Sequence, residues 1–104
     1  MRRHRFSRCF PLVFVLGLLG ACASAPVQEM SDARQAIMAA EQSGAEKTAP
    51  GTLGDARTLL TEAEAQLQDG RYYAARRNAI EAKARALEAM ASSADAGRKR
   101  DNGG

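Results

Sequence analysis

Five alanines, Ala75, Ala79, Ala82, Ala86 and Ala89, recur at alternating spacings of four and three. That rhythm follows the turn of an α-helix, so the five share one face. A face made only of methyl groups lets a neighbouring helix approach closely. Tyr73, Ile80 and Leu87 form a neighbouring row, seven apart. Tyr73 is expected to pack in a helical hairpin, with Tyr72 near its edge. Arg77, Glu81, Arg85 and Glu88 cluster on the other side, and Glu81 with Arg85 takes the favourable i,i+4 order. The helix is expected from about residue 71 to 93, roughly 35 Å at 1.5 Å per residue.

Two helical stretches precede it. Leu53, Ala56, Leu60, Ala63 and Leu67 also recur three and four apart, with Leu59 widening the stripe. Arg57, Glu62, Glu64 and Gln68 lie off it, which is an amphipathic pattern. Thr52 and Asp55 fit a capping box, placing this helix at about 52–69. A start nearer Ala49-Pro50 is the alternative, since proline suits a first turn. Asp69-Gly70 breaks the pattern and implies a tight antiparallel hairpin. Further upstream, Ala33, Ala36, Ile37 and Ala40 mark a shorter helix at about 32–43. Ser31 is its expected N-cap and Gly44 its stop. The expected fold is all-α: a hairpin plus one shorter helix in a small three-helix bundle, over residues 31–94. Large apolar side chains are few, so such a domain is stable by a narrow margin. Self-association or a covering partner is expected to help.

The first 22 residues differ in kind. Arg2, Arg3, Arg5 and Arg8 precede an apolar run of about a dozen residues, and small residues follow. This order is the pattern of a secretory signal. The run is shorter than the roughly 20 residues a membrane-spanning helix needs. Leu19-Gly20-Ala21-Cys22 resembles the lipobox of bacterial lipoproteins. The resemblance implies cleavage between Ala21 and Cys22, with diacylglycerol on the Cys22 sulfur and an acyl group on its new amino end. A thiolate suits such lipid transfer, and several acyl chains make a durable anchor where one binds only marginally. The expected segments are a signal peptide at 1–21, a lipidated tether at 22–30, the helical domain, and a disordered basic tail at 95–104 carrying Arg98-Lys99-Arg100. Ala23, rather than aspartate, follows Cys22; by resemblance to enterobacterial lipoprotein sorting, that implies the outer membrane, facing the periplasm.

That division changes the charge. The chain has 104 residues and a net charge of +3, with 15 basic and 12 acidic residues. Four of the arginines precede Cys22, so the remainder carries about −1. The basic excess is therefore no argument for nucleic-acid binding. His4 is the only histidine and Cys9 the only other cysteine, both ahead of the cleavage point. With Cys22 alone remaining, no internal disulfide, Cys/His metal set, cofactor or catalytic constellation is expected. Glu62 with Glu64, and Glu81 with Glu88, are spaced as solvated faces rather than as acid–base pairs.

Several short stretches follow one another in order: Ala33-Arg34-Gln35-Ala36-Ile37, Gly44-Ala45, Ala49-Pro50, Leu53, Ala56-Arg57, Leu60, Gly70-Arg71-Tyr72 and Ala75-Arg76-Arg77. The ordered set resembles the domain of unknown function 4398 family of small Gram-negative lipoproteins. The resemblance implies a periplasmic helical module and supplies no catalytic residue. Gly70 to Ala75 also resembles the turn and second helix of a tetratricopeptide unit, although one hairpin is not an array. The functional expectation is a lipid-anchored structural or adaptor module that binds an envelope protein or itself. The alternative is a non-covalent tether to peptidoglycan.

Overall fold

The structure, a computed structural model, describes residues 25–103. The signal segment, Ala21 and Cys22 lie outside the described residues. Among the described residues four helices follow one another: α1 Val27–Gln42, α2 Ala45–Thr48, α3 Pro50–Gln68 and α4 Tyr72–Gly103. The described residues contain no strand. The expected all-helical bundle with three substantial helices is what forms, and α2 adds a single turn to it.

α1 begins five residues earlier than the sequence suggests. Pro26 occupies its N-cap, and the Pro26 carbonyl accepts the Met30 amide at 3.1 Å. Ser31 is therefore inside the helix, where its Oγ accepts a hydrogen bond from Gln35 rather than capping. The reason is Met30. It extends the row of Ala33, Ile37 and Ala40 by one turn and is 1% exposed. Burying a side chain of that size stabilises by about 1.5–3 kcal/mol. Residues 27–30, expected as tether, are thus part of the domain. Glu29 supplies a carboxylate to the positive end of the helix.

The end of α1 falls where Gly44 places it. Gly44 adopts φ +88°, and its amide reaches the Glu41 carbonyl. The Ser43 hydroxyl donates to the Ala40 carbonyl at 2.7 Å. α2 then makes one turn and stops at Ala49, whose φ of −145° leaves the helical region. α3 starts at Pro50, with Ala49 as an N-cap that offers no side-chain bond. The capping box at Thr52 does not form, because Thr52 is already helical and the Leu53 amide bonds Ala49. Proline lacks the N–H that a first turn leaves orphaned, which favours this earlier start.

The α3–α4 turn is a Schellman closure. Gly70 takes φ +77°, its amide bonds the Leu67 carbonyl, and the Arg71 amide bonds the Gln66 carbonyl at 2.8 Å. α4 spans 32 residues, roughly 48 Å by the helical rise. Residues 95–103, expected as a disordered tail, continue it. Ala91, Ala94 and Ala96 favour its continuation, Arg98 lies 4.0 Å from Asp95 one turn earlier, and Arg100 complements the dipole of the last turn.

Three side-chain relationships set the directions. Glu29 at the start of α1 meets Arg76 at the start of α4, while Thr48 meets Ser93 near the other end. α1 and α4 therefore run parallel. Arg34 meets Glu64 and Glu41 meets Arg57, so α3 runs opposite to α1. The order is up, down, up. The core has two clusters along the α4 alanine row. Met30, Ala33, Ala63, Ala79 and Ala82 form one; Ile37, Ala40, Ala45, Leu53, Ala56, Ala86 and Ala89 anchor the other. Leu59, Leu60, Leu67 and Met90 pack on them partly buried.

Candidate interaction surface

The alanine face of α4 is fully covered: Ala75, Ala79, Ala82, Ala86 and Ala89 are each 0% exposed. At about 100° per residue, the row of Tyr73, Ile80 and Leu87 falls toward the opposite side of the same helix, not beside the alanines as expected. The structure leaves that row outside. Tyr73 is 73% exposed, Ile80 55% and Leu87 48%. This corrects the expectation that Tyr73 packs in the hairpin. The other three helices approach α4 on one side only, and close approach selects the small residues for that side. Tyr72, expected at the edge, is 43% exposed.

Arg77 and Ala84 fill the spaces between those three residues, and Ala91 continues the stripe beyond Leu87. The Arg77 guanidinium lies over the Tyr73 ring, 5.9 Å from its centre. A surface groove of about 440 Å³ runs here, lined by Arg77, Ile80, Glu81, Ala84, Arg85 and Glu88. Arg85 holds Glu81 at 3.9 Å and Glu88 at 3.4 Å. The second carboxylate pair of the sequence is thus a guanidinium-bridged surface array. In the first pair, Glu64 meets Arg34 of α1 at 3.6 Å, and Glu62 is exposed. Neither pair forms a two-carboxylate site.

The remaining polar contacts serve the bundle. Arg57 of α3 donates to Glu46 at 2.8 Å and lies 3.3 Å from Glu41. Its hydrogen bond to Glu46 raises its pKa above the ordinary guanidinium value; desolvation opposes this, and the charge of Glu41 adds to the rise. Asn78 donates to Gln66 at 3.0 Å across the α3–α4 hairpin. Among the described residues, no three His, Cys, Asp or Glu side chains group to hold a metal ion. No described helix is long and apolar enough to cross a membrane.

No curated protein matches the chain, and no solved structure does. The model of one family, Domain of unknown function (DUF4398), matches residues 28–102. Its match begins inside the first turn of α1 and ends at the last turn of α4, so it takes in Met30 and the extension of α4 beyond Ser93. The match covers well over half of the chain, which therefore belongs to the DUF4398 family.

Proposed function

We propose that this chain is a lipid-anchored envelope protein whose helical bundle serves as a structural or adaptor module in the periplasm, without catalysis. One observation carries the reading: Leu19-Gly20-Ala21-Cys22 follows a basic and then an apolar segment, so Cys22 is the residue that takes diacylglycerol and an N-acyl group. Ala23 after the cysteine favours the outer membrane. The early start of α1 adds support. Only Ala23 to Pro26 separate Cys22 from the bundle, a reach of at most roughly 18 Å even fully extended. The starts of α1 and α4 then sit near the bilayer surface and the end of α4 points away from it. A module held this close acts through its sides and its far end, on an envelope protein or on a second copy.

The test is Cys22→Ser in the full chain. The variant is expected to lose incorporated lipid and to leave the membrane fraction. Fractionation with the outer membrane, as for the parent, would overturn the anchor.

A second reading, a non-covalent peptidoglycan tether, draws on one further observation. Arg98, Lys99 and Arg100 lie on the end of α4 remote from the anchor, where they favour an anionic polymer over the lipid surface. Co-sedimentation of the full chain with purified peptidoglycan, lost on Arg98→Ala with Arg100→Ala, supports it. A chain that stays in the supernatant overturns it.

A further inference from the structure

We propose that the outer stripe of α4 is a self-association surface, on which a second copy of this chain pairs its own α4 in parallel and in register. The stripe runs Tyr73, Arg77, Ile80, Ala84, Leu87, Ala91, with spacings of four, three, four, three and four. That is a heptad seam, the pattern with which two helices wind around each other. Tyr73, Ile80 and Leu87 take the d positions, and Arg77, Ala84 and Ala91 the a positions. It lies on the face away from α1 and α3, so nothing in the bundle has to move for a second helix to reach it.

The flanking charges choose the occupant and its direction. On the e side stand Glu81, Glu88 and Asp95, all acidic. On the g side stand Arg76 and Lys83, both basic. In a parallel pair, each g residue faces the e residue five positions later on the other helix. Lys83 then faces Glu88 of the second copy, twice over by symmetry. Arg76 faces Glu81 in the same way while also holding Glu29 within its own chain at 3.2 Å. An antiparallel pair would set acid against acid on one flank and base against base on the other. The stripe therefore complements itself in one orientation. The same orientation keeps the first turns of both copies at one end, as two chains anchored in one bilayer require.

The seam is short, and its Arg77 positions face each other across it. A polar a position fixes register at a cost in stability. Weak pairing in dilute solution follows, with strong pairing where copies are concentrated. The geometry stands on α4 alone; the lipid anchor sets only how much of it forms.

Disulfide trapping in the full chain tests this, with Ala84→Cys and Ala91→Cys made separately and the parent chain as control for Cys9 and Cys22. Purified chain in detergent at rising concentration keeps the result independent of membrane location, which Cys22→Ser reports by itself. Each variant is expected to give a covalent dimer at least threefold above the parent, while Glu62→Cys on α3 gives none above it. Lys83→Glu in either background is expected to cut the trapped dimer at least threefold, and adding Glu88→Lys to restore it. Trapping at only one of the two positions indicates an antiparallel or shifted pair and overturns the proposal. So does trapping that Glu62→Cys equals, trapping insensitive to the charge reversal, or none at all while circular dichroism shows the variants folded.

Discussion

Thr48 and Ser93, 45 positions apart in sequence, hydrogen-bond to each other through their side-chain hydroxyls. The contact ties the single turn of α2 to the far part of α4, where Ser93 is 8% exposed. Removing Thr48 leaves the Ser93 hydroxyl buried and unmatched, at a cost of about 1–3 kcal/mol, whereas without Ser93 the Thr48 hydroxyl keeps its bond to the Gly44 carbonyl. Thr48→Val is expected to lower stability within that range in urea unfolding, and Ser93→Ala by less. The double variant is expected to cost less than the two singles combined, and strict additivity would show that the hydroxyls do not act as a pair.

Leu53 is the largest fully buried aliphatic side chain of α3 and sits among alanines. Leu53→Ala is expected to cost about 2–5 kcal/mol, because methyl-sized neighbours cannot collapse into the space. In a domain with so few large core residues, that is enough to unfold a large fraction at ambient temperature. The reverse change also harms. Ala82→Leu forces α4 away from Met30 and Ala63, an overpacking cost of about 1–3 kcal/mol. Chemical denaturation followed by far-ultraviolet circular dichroism reads both.

Two glycines are expected to respond with opposite signs. Gly70 closes α3 at φ +77°, a backbone region that costs an L side chain roughly 1–2 kcal/mol. Gly70→Ala should destabilise by about that amount. Gly54 lies within α3, and an added Cβ there meets nothing within 4 Å. Gly54→Ala should stabilise by about 0.4–1 kcal/mol through the reduced freedom of the unfolded chain. Equal effects of the two on the thermal midpoint would contradict a helix that contains Gly54 and ends before Gly70.

Arg57 bridges three helices on an exposed surface, where ion pairs are weak and screened by salt. Arg57→Gln is expected to lower the thermal midpoint slightly at low ionic strength and not at all near 1 M salt, where screening acts within about 3 Å. Its pKa is raised on folding, so its contribution is complete below the unfolded value and is lost only as pH climbs through the folded one. Both lie in strong alkali. The Arg57→Gln deficit should therefore show no slope from this guanidinium near neutral pH.

Arg77→Leu replaces the charged a position of the outer α4 seam with an apolar one. It is expected to raise the dimer fraction at least threefold in sedimentation equilibrium of the full chain, since two guanidinium groups no longer face each other. An unchanged or lower fraction would speak against that seam.

Much of this architecture is legible in the residues. The spacing of Ala75 to Ala89 marks the inner face of α4, and Asp69-Gly70 marks the hairpin turn, because each needs a backbone geometry with few alternatives. The start of α1 is not. Ser31-Asp32 imitates a cap, while the signal that prevails, Met30 burying one turn earlier, depends on Ala63 and Ala79 from distant parts of the chain. The surface is legible as a row but not in its direction. Hydrophobicity alone sends Tyr73, Ile80 and Leu87 inward. The space between packed helices decides otherwise, and spacing cannot report that space until the partners are in place.

The alanine face of α4 has a thermal consequence. Methyl side chains have no rotamers to freeze, so ordering them costs almost nothing beyond the backbone. They also hide little apolar area, and the heat-capacity increment of unfolding scales with that area. A bundle built this way has a low, broad stability curve rather than a tall, narrow one. It gives up peak stability for a fold that changes little between a cold and a warm surrounding.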